Sequence, residues 1–149
     1  MNKTILFLLL MTVAIGNIAK SQTNKPEALE EILNAEINKE NSEILVSYNC
    51  LLPKKTSKWK PMKKYQVELK KGNYHLGIIT SKKANNGYGI MKIYSMQNGE
   101  IVKQLRNKTF KKPVFSNFSI SDEGQYVITI SFTNGKKGKA YAAIYQKKK

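Results

Sequence analysis

Cys50 and His75 are the only side chains of their types in this chain of 149 residues. A thiol beside an imidazole can act as a nucleophile once the ring accepts its proton. Nothing in their spacing forms a motif that pairs them, and a lone strand histidine is ordinarily structural or solvated. A Ser-His-Asp triad fails because the only aspartate, Asp122, lies in the turn-like run Ser121-Asp122-Glu123-Gly124. Paired carboxylates for glycoside cleavage would have to come from Glu68, Glu100, Asp122 and Glu123. The last two are chain neighbours and cannot flank a bond. Ligand spacings for zinc and calcium are absent, as is a phosphate-binding loop. The expectation is a non-enzyme with no catalytic residue, metal or cofactor.

Charge is the stronger chemical signal. The formal net charge is +16. Six of the ten acids lie between Glu27 and Glu43, so the chain from Ile44 onward is strongly basic. Lysines come in pairs beside turn residues: Lys54-Lys55, Lys63-Lys64, Lys70-Lys71, Lys82-Lys83, Lys111-Lys112 and Lys136-Lys137, with a Lys147-Lys148-Lys149 tail. Such loops attract a polyanion, for which an acidic glycan or lipopolysaccharide phosphate is the expected class. Arg106 is the only arginine. Bidentate phosphate recognition favours arginine, so the lysines give a diffuse field and no shaped phosphate site. No nucleic-acid motif is present. The candidate contacts are Lys54, Lys55, Lys58, Lys60, Lys63, Lys64, Lys111 and Lys112. Trp59, between lysines, serves either as a stacking ring for a sugar or as a plug under its loop.

Short strands must position these loops. Tyr65–Leu69, Tyr74–Thr80, Tyr88–Ser95, Glu100–Leu105, Val114–Ile120, Tyr126–Phe132 and Lys139–Tyr145 each read as a run of period two. Gln97-Asn98-Gly99 predicts a hairpin turn of type I′. The runs predict a mainly β protein, an antiparallel sandwich or jelly roll of about 7–8 strands. A helix is expected to precede it, starting near Asn24-Lys25-Pro26-Glu27. Its apolar stripe, Leu29, Ile32, Leu33 and Ile37, is expected to lie on the sandwich, with docking to an envelope partner as the alternative. Residues 44–52 fit both a helical face and a strand, and the helical reading is preferred. That places a helical segment at residues 22–52 and the sandwich at 53–149.

One frame occurs twice. Leu69-Lys70-Lys71-Gly72-Asn73-Tyr74-His75-Leu76 and Ile120-Ser121-Asp122-Glu123-Gly124-Gln125-Tyr126-Val127-Ile128 both run from an apolar residue through a glycine to a tyrosine that opens an alternating strand. The flanks share little else, so the copies read as two similar entries into one sandwich. The first copy, with Ile90-Met91-Lys92-Ile93-Tyr94-Ser95-Met96-Gln97-Asn98-Gly99-Glu100-Ile101-Val102 and Phe118 through Ile128, resembles the small bacterial pre-peptidase C-terminal jelly-roll domains. That resemblance implies a non-catalytic accessory module for secretion, surface retention or glycan contact. Ser95 and Gln97 stand where that family's hairpin often has aspartates, so calcium binding does not carry over.

The first residues read as a secretory leader. Lys3 supplies the positive start, Ile5 to Ile15 an uncharged apolar stretch, and Ala19-Lys20-Ser21 the small residues before a cut at Gln22. Gly16, Asn17 and Lys20 interrupt the stretch, which is short for a span of about 20 residues. The expectation is a secreted or periplasmic monomer without a transmembrane span. Cys50 cannot form an internal disulfide and is expected to be a small buried hydrophobe. The sequons at Asn107 and Asn117 are read as incidental.

Overall fold

The computed structural model describes residues 28–53, 62–81, 88–133 and 138–149. The predicted leader, the helix start at Asn24–Glu27, the tryptophan loop and the turns at 82–87 and 134–137 lie outside the described residues. A helix, α1 (Leu29–Lys39), precedes eight strands. They are β1 (Ser42–Leu52), β2 (Met62–Leu69), β3 (Gly72–Thr80), β4 (Gly89–Ser95), β5 (Ile101–Asn107), β6 (Val114–Ile120), β7 (Gly124–Phe132) and β8 (Gly138–Lys147).

The pairing follows one rule. β1 pairs with β8, β2 with β7, β3 with β6 and β4 with β5, all antiparallel. The chain is thus one long hairpin folded over on itself. Two further pairings, β3 with β8 and β4 with β7, complete sheets of order β1-β8-β3-β6 and β2-β7-β4-β5. This strand order makes the fold a jelly-roll β-sandwich.

Alternation fills the space between the sheets. Tyr74, Leu76 and Ile78 from β3 meet Tyr126, Ile128, Ile130 and Phe132 from β7. β8 is buried without a break from Ala140 to Tyr145 because both of its faces are covered. Ala140, Ala142 and Ile144 face the sandwich core. Tyr141, Ala143 and Tyr145 face outward, where Leu33 and Ile37 of α1 cover them. Leu29 and Ile32 pack beside that cluster. The apolar stripe is therefore used within the chain, and the surface it would have offered a partner is spent on the fold.

Residues 42–52 correct the sequence reading, since they form a strand and not the end of a helical segment. A helix here would bury Leu45 and Leu51, yet they are 45% and 69% exposed. The register of β1 shifts between Ile44 and Val46, a bulge that switches faces. Ile44 joins the helix-covered cluster, whereas Val46, Tyr48, Cys50 and Leu52 point into the core. β8 supplies the deciding interaction: its open edge needs a partner, and a strand satisfies both backbones. The Asn98-Gly99 turn also differs from expectation. Only Gly99 has positive φ, at 70°, and its N–H bonds the Ser95 carbonyl while Ser95 N–H bonds the Glu100 carbonyl. This is a four-residue connection, not type I′, and its return strand starts at Ile101.

The doubled frame proves to be two matching corners. Gly72 and Gly124 have φ of 156° and 157°. The tyrosine two residues later turns back in each case. Tyr74 donates its hydroxyl proton to the Lys70 carbonyl at 2.8 Å, and Tyr126 donates to the Asp122 carbonyl. At both corners the chain leaves one sheet for the other. The hydroxyls tie the crossing turn to the strand it feeds, as tyrosine corners do in other sandwiches.

Candidate functional site

Antiparallel order sorts the loops. The connections β1–β2, β3–β4, β5–β6 and β7–β8 all leave from one end of the sandwich. The connections β2–β3, β4–β5 and β6–β7 lie at the other. The first end carries Lys63, Lys64, Lys108, Lys111, Lys112 and Lys139, all exposed. Among the described residues, none of the strand ends or connections there carries an acid; Glu30 and Glu31 lie in the first turn of α1. The opposite end is mixed, with Lys70, Lys71 and Lys147 among Glu43, Glu68, Glu100, Asp122 and Glu123.

Of the sequence-derived contacts, Lys63 and Lys64 open β2, and Lys111 and Lys112 lie between β5 and β6. Lys54, Lys55, Lys58, Trp59 and Lys60 lie outside the described residues. β2 and β5 are the two edges of one sheet, three strand spacings or about 14 Å apart. The structure thus brings the two pairs to the same end but to opposite edges. Between them, the outer face of that sheet adds cations not singled out from the sequence. Lys64 is level with Thr129, which is level with Lys92. Arg106 is level with Ile90 in the adjoining row. Strand alternation alone could have placed Lys92 and Arg106 on a face, but not beside Lys64, because that needs the register.

The β5–β6 loop is held by a buried side chain. Asn107 is 1% exposed. Its Nδ2 donates to the carbonyls of Ile78 at 3.0 Å and Lys112 at 3.1 Å. Its Oδ1 accepts from the N–H of Thr109 at 2.9 Å and from the Thr109 hydroxyl at 3.1 Å. The sequon at Asn107 is therefore a loop anchor. Lys111 N–H bonds the Thr80 carbonyl at 2.9 Å, and Lys111 has φ of 56°, a left-handed conformation that favours glycine. Among the described residues the single ion pair is Lys39–Glu36, on α1. The lysines of the basic end thus have no carboxylate partner there.

No nucleophile pair forms. Cys50 is fully buried in the core. Burial pushes its thiol up, more than the Tyr65 hydroxyl and the Lys63 ammonium lower it. His75 lies two strands away, beyond β8, and on the outer face of the same sheet. Among the described residues, no group of three His, Cys, Asp or Glu side chains could hold a metal ion. No helix among them is long and apolar enough to cross a membrane.

A cleft of about 780 Å³ opens beside the β2–β3 corner, between Val46, Val67, Lys70, Tyr74 and Lys147. Two further hollows, of about 480 and 470 Å³, share His75 and Asn117; the first reaches Glu40 at the end of α1, and the second lies between β3 and β6.

No family model matches the sequence, and no curated protein matches it. Solved structures of similar strand layout include a carbohydrate binding module of Cellvibrio mixtus lichenase 5A, with TM-score 0.44 and 11% identity over 72% of this chain and 92% of that one. The C-terminal carbohydrate-binding module of a Zobellia galactanivorans laminarinase matches with TM-score 0.44 and 15% identity over 70% and 94%. The Yersinia pseudotuberculosis-derived mitogen matches with TM-score 0.43 and 10% identity over 66% and 82%. The fold assignment rests on the strand order itself.

Proposed function

We propose that this chain is a non-catalytic binding module, exported as its leader-like first 21 residues indicate, that grips an anionic polymer with its basic end. The ligand class is an acidic glycan or the phosphorylated sugars of lipopolysaccharide. One observation carries the reading. Strand order collects Lys63, Lys64, Lys108, Lys111, Lys112 and Lys139 at one end, with no acid on the described strand ends or connections there. Unneutralised cations on a shared surface attract a polyanion and release its counterions on contact. Lys111 is consistent with the reading, since this exposed lysine occupies a left-handed position that glycine would hold with less strain.

Heparin, dextran sulfate and lipopolysaccharide are the probes. Affinity should fall steeply between about 50 and 200 mM NaCl. Reversing Lys63, Lys64, Lys111 and Lys112 to Glu should weaken binding at least about tenfold, or ~1.4 kcal/mol. Reversing Lys70 and Lys71 at the mixed end should change it far less. Salt-independent binding, or a larger loss from the Lys70/Lys71 reversal, would overturn the proposal.

A further inference from the structure

A second surface has different chemistry. On the outer face of the β1-β8-β3-β6 sheet, His75 stands level with Tyr145 on one side and Asn117 on the other. The next row holds Ala143, Gly77 and Phe115, and the row beyond His75 holds Asn73 level with Ser119. α1 covers the β8 side of these rows, where Ala143, Tyr145 and Gly77 are buried, and leaves Phe115, Asn117, Asn73 and Ser119 exposed, with His75 half-buried.

The aromatic rings there are held in place. A Cβ on Gly77 would lie 2.8 Å from Cε1 of Phe115, so the Phe115 ring rests directly over the glycine. It is braced by Leu33 of α1, whose Cδ1 would be 3.1 Å from the same Cβ. Phe115 nonetheless remains 37% exposed. Tyr145 meets it edge to face at 6.2 Å, and His75 stacks on Tyr145 at 5.3 Å and 21°. Phe115 is thereby a fixed, exposed apolar patch, backed by the buried Tyr145 ring and the half-buried His75 ring.

Polar groups flank the patch. The Ser119 hydroxyl donates to Asn73 Oδ1 at 2.7 Å, which orients that amide. The exposed Asn117 amide has no hydrogen bond among the described residues, so its donors and acceptor are available. Glu40 and Lys147 line the same hollow with opposite charges. Such a lining prefers neither an anion nor a cation. The two hollows, of about 480 and 470 Å³, meet at His75 and Asn117. Each lies in the range of about 300–1,000 Å³ typical of ligand sites.

We infer that this face binds a neutral sugar chain, with the apolar face of one pyranose on Phe115 and neighbouring hydroxyls paired with Asn117 and Asn73. An amide offers a donor and an acceptor side by side, which suits adjacent hydroxyls that both donate and accept. The exposed ring takes the C–H face that such a sugar cannot hydrogen-bond. This site is separate from the basic end in position and in chemistry, and it does not depend on the anionic-polymer reading.

His75 makes the test direct, because it is the only histidine and its ring protons give isolated NMR signals. Cellohexaose, xylohexaose, mannohexaose and laminarihexaose are titrated to about 10 mM, enough to saturate a site with Kd of about 1 mM. At least one should shift the His75 ring signals saturably. Asn117→Ala, a change at an exposed position, should weaken that titration about fivefold or more. Lys63→Glu with Lys64→Glu, and added 0.5 M NaCl as roughly a full screen, should leave it unchanged. Phe115→Ala should abolish it, with the intact amide spectrum showing that the chain is folded. Absence of any His75 shift, loss of binding in salt, or an Asn117→Ala titration equal to wild type would each overturn the inference.

Discussion

Lys111→Gly separates folding from binding at the basic end. Lys111 has φ of 56° and is exposed, and its N–H bonds the Thr80 carbonyl at 2.9 Å. The left-handed conformation costs an L-residue about 1–2 kcal/mol. Glycine removes that strain and keeps the N–H. It also gives the unfolded chain extra freedom, which subtracts about 0.4–1 kcal/mol. The variant should therefore be equal to wild type or more stable by up to about 1.5 kcal/mol. Binding should move the other way. One cation is lost from a cluster that has no carboxylate partner among the described residues, which should lower heparin affinity about threefold and reduce the salt slope by about one unit. Urea melts measure the first effect, and titrations at several NaCl concentrations measure the second. Asn41→Gly is the control: Asn41 has φ of 51° just after α1, at the other end. It should leave binding alone. A Lys111→Gly protein that is destabilised by more than about 1 kcal/mol would show that the side chain holds the loop. Unchanged heparin binding would remove Lys111 from the site.

Five other outcomes are expected. Tyr74→Phe and Tyr126→Phe should each lower stability by about 1 kcal/mol, since each loses a corner hydrogen bond. Tyr48→Phe should be neutral or stabilising by about 1 kcal/mol, because its buried hydroxyl has no partner among the described residues; the opposite ranking in urea melts would refute both arguments. Asn107→Ala should cost about 2–3 kcal/mol by leaving buried groups unpaired, and should also weaken heparin binding by releasing the Lys111–Lys112 loop, checked by melts and titration together. Burial, then the neighbouring Tyr65, pushes the Tyr48 hydroxyl up to about 12, and burial, then Glu40, does the same for Tyr145. The folded state thus keeps protons that the unfolded chain releases near pH 10. Stability should be fully present below about pH 10 and decline toward pH 12, with a smaller decline in Tyr48→Phe. Cys50, fully buried with its thiol held up by burial, should react with a thiol reagent only in denaturant, and prompt reaction in buffer would contradict its core position.

Period two was legible along β3, β6 and β7, because each sets an alternating apolar series on its core face, even though α1 covers part of the outer face of β3 at Gly77 and Ile79. β1 was not, because Leu45 and Leu51 match a helical stripe as well as a strand's outer face. The bulge at Leu45 also breaks the alternation that would have decided the matter. Only β8, a strand with an unmet edge, resolves it. The candidate lysines were legible as pairs beside turns. That Lys63, Lys64, Lys111 and Lys112 share one end follows from strand direction, whereas the contribution of Lys92 and Arg106 follows from register, which composition does not carry.

The sequence alone determined the β class, the apolar stripe of α1, the excess of lysine and the lack of a nucleophile motif, because these depend on residue types and local periodicity. It also marked both Gly-x-Tyr corners, though not what the hydroxyls do there. Tertiary structure decided which strand ends meet, how basic loops separate from acidic ones, and how Phe115, His75 and Asn117 come together. Those outcomes depend on pairings between residues far apart in the chain. In particular, Tyr74 and Tyr126 are short local signals that became two sheet crossings only when β2 met β7 and β3 met β6.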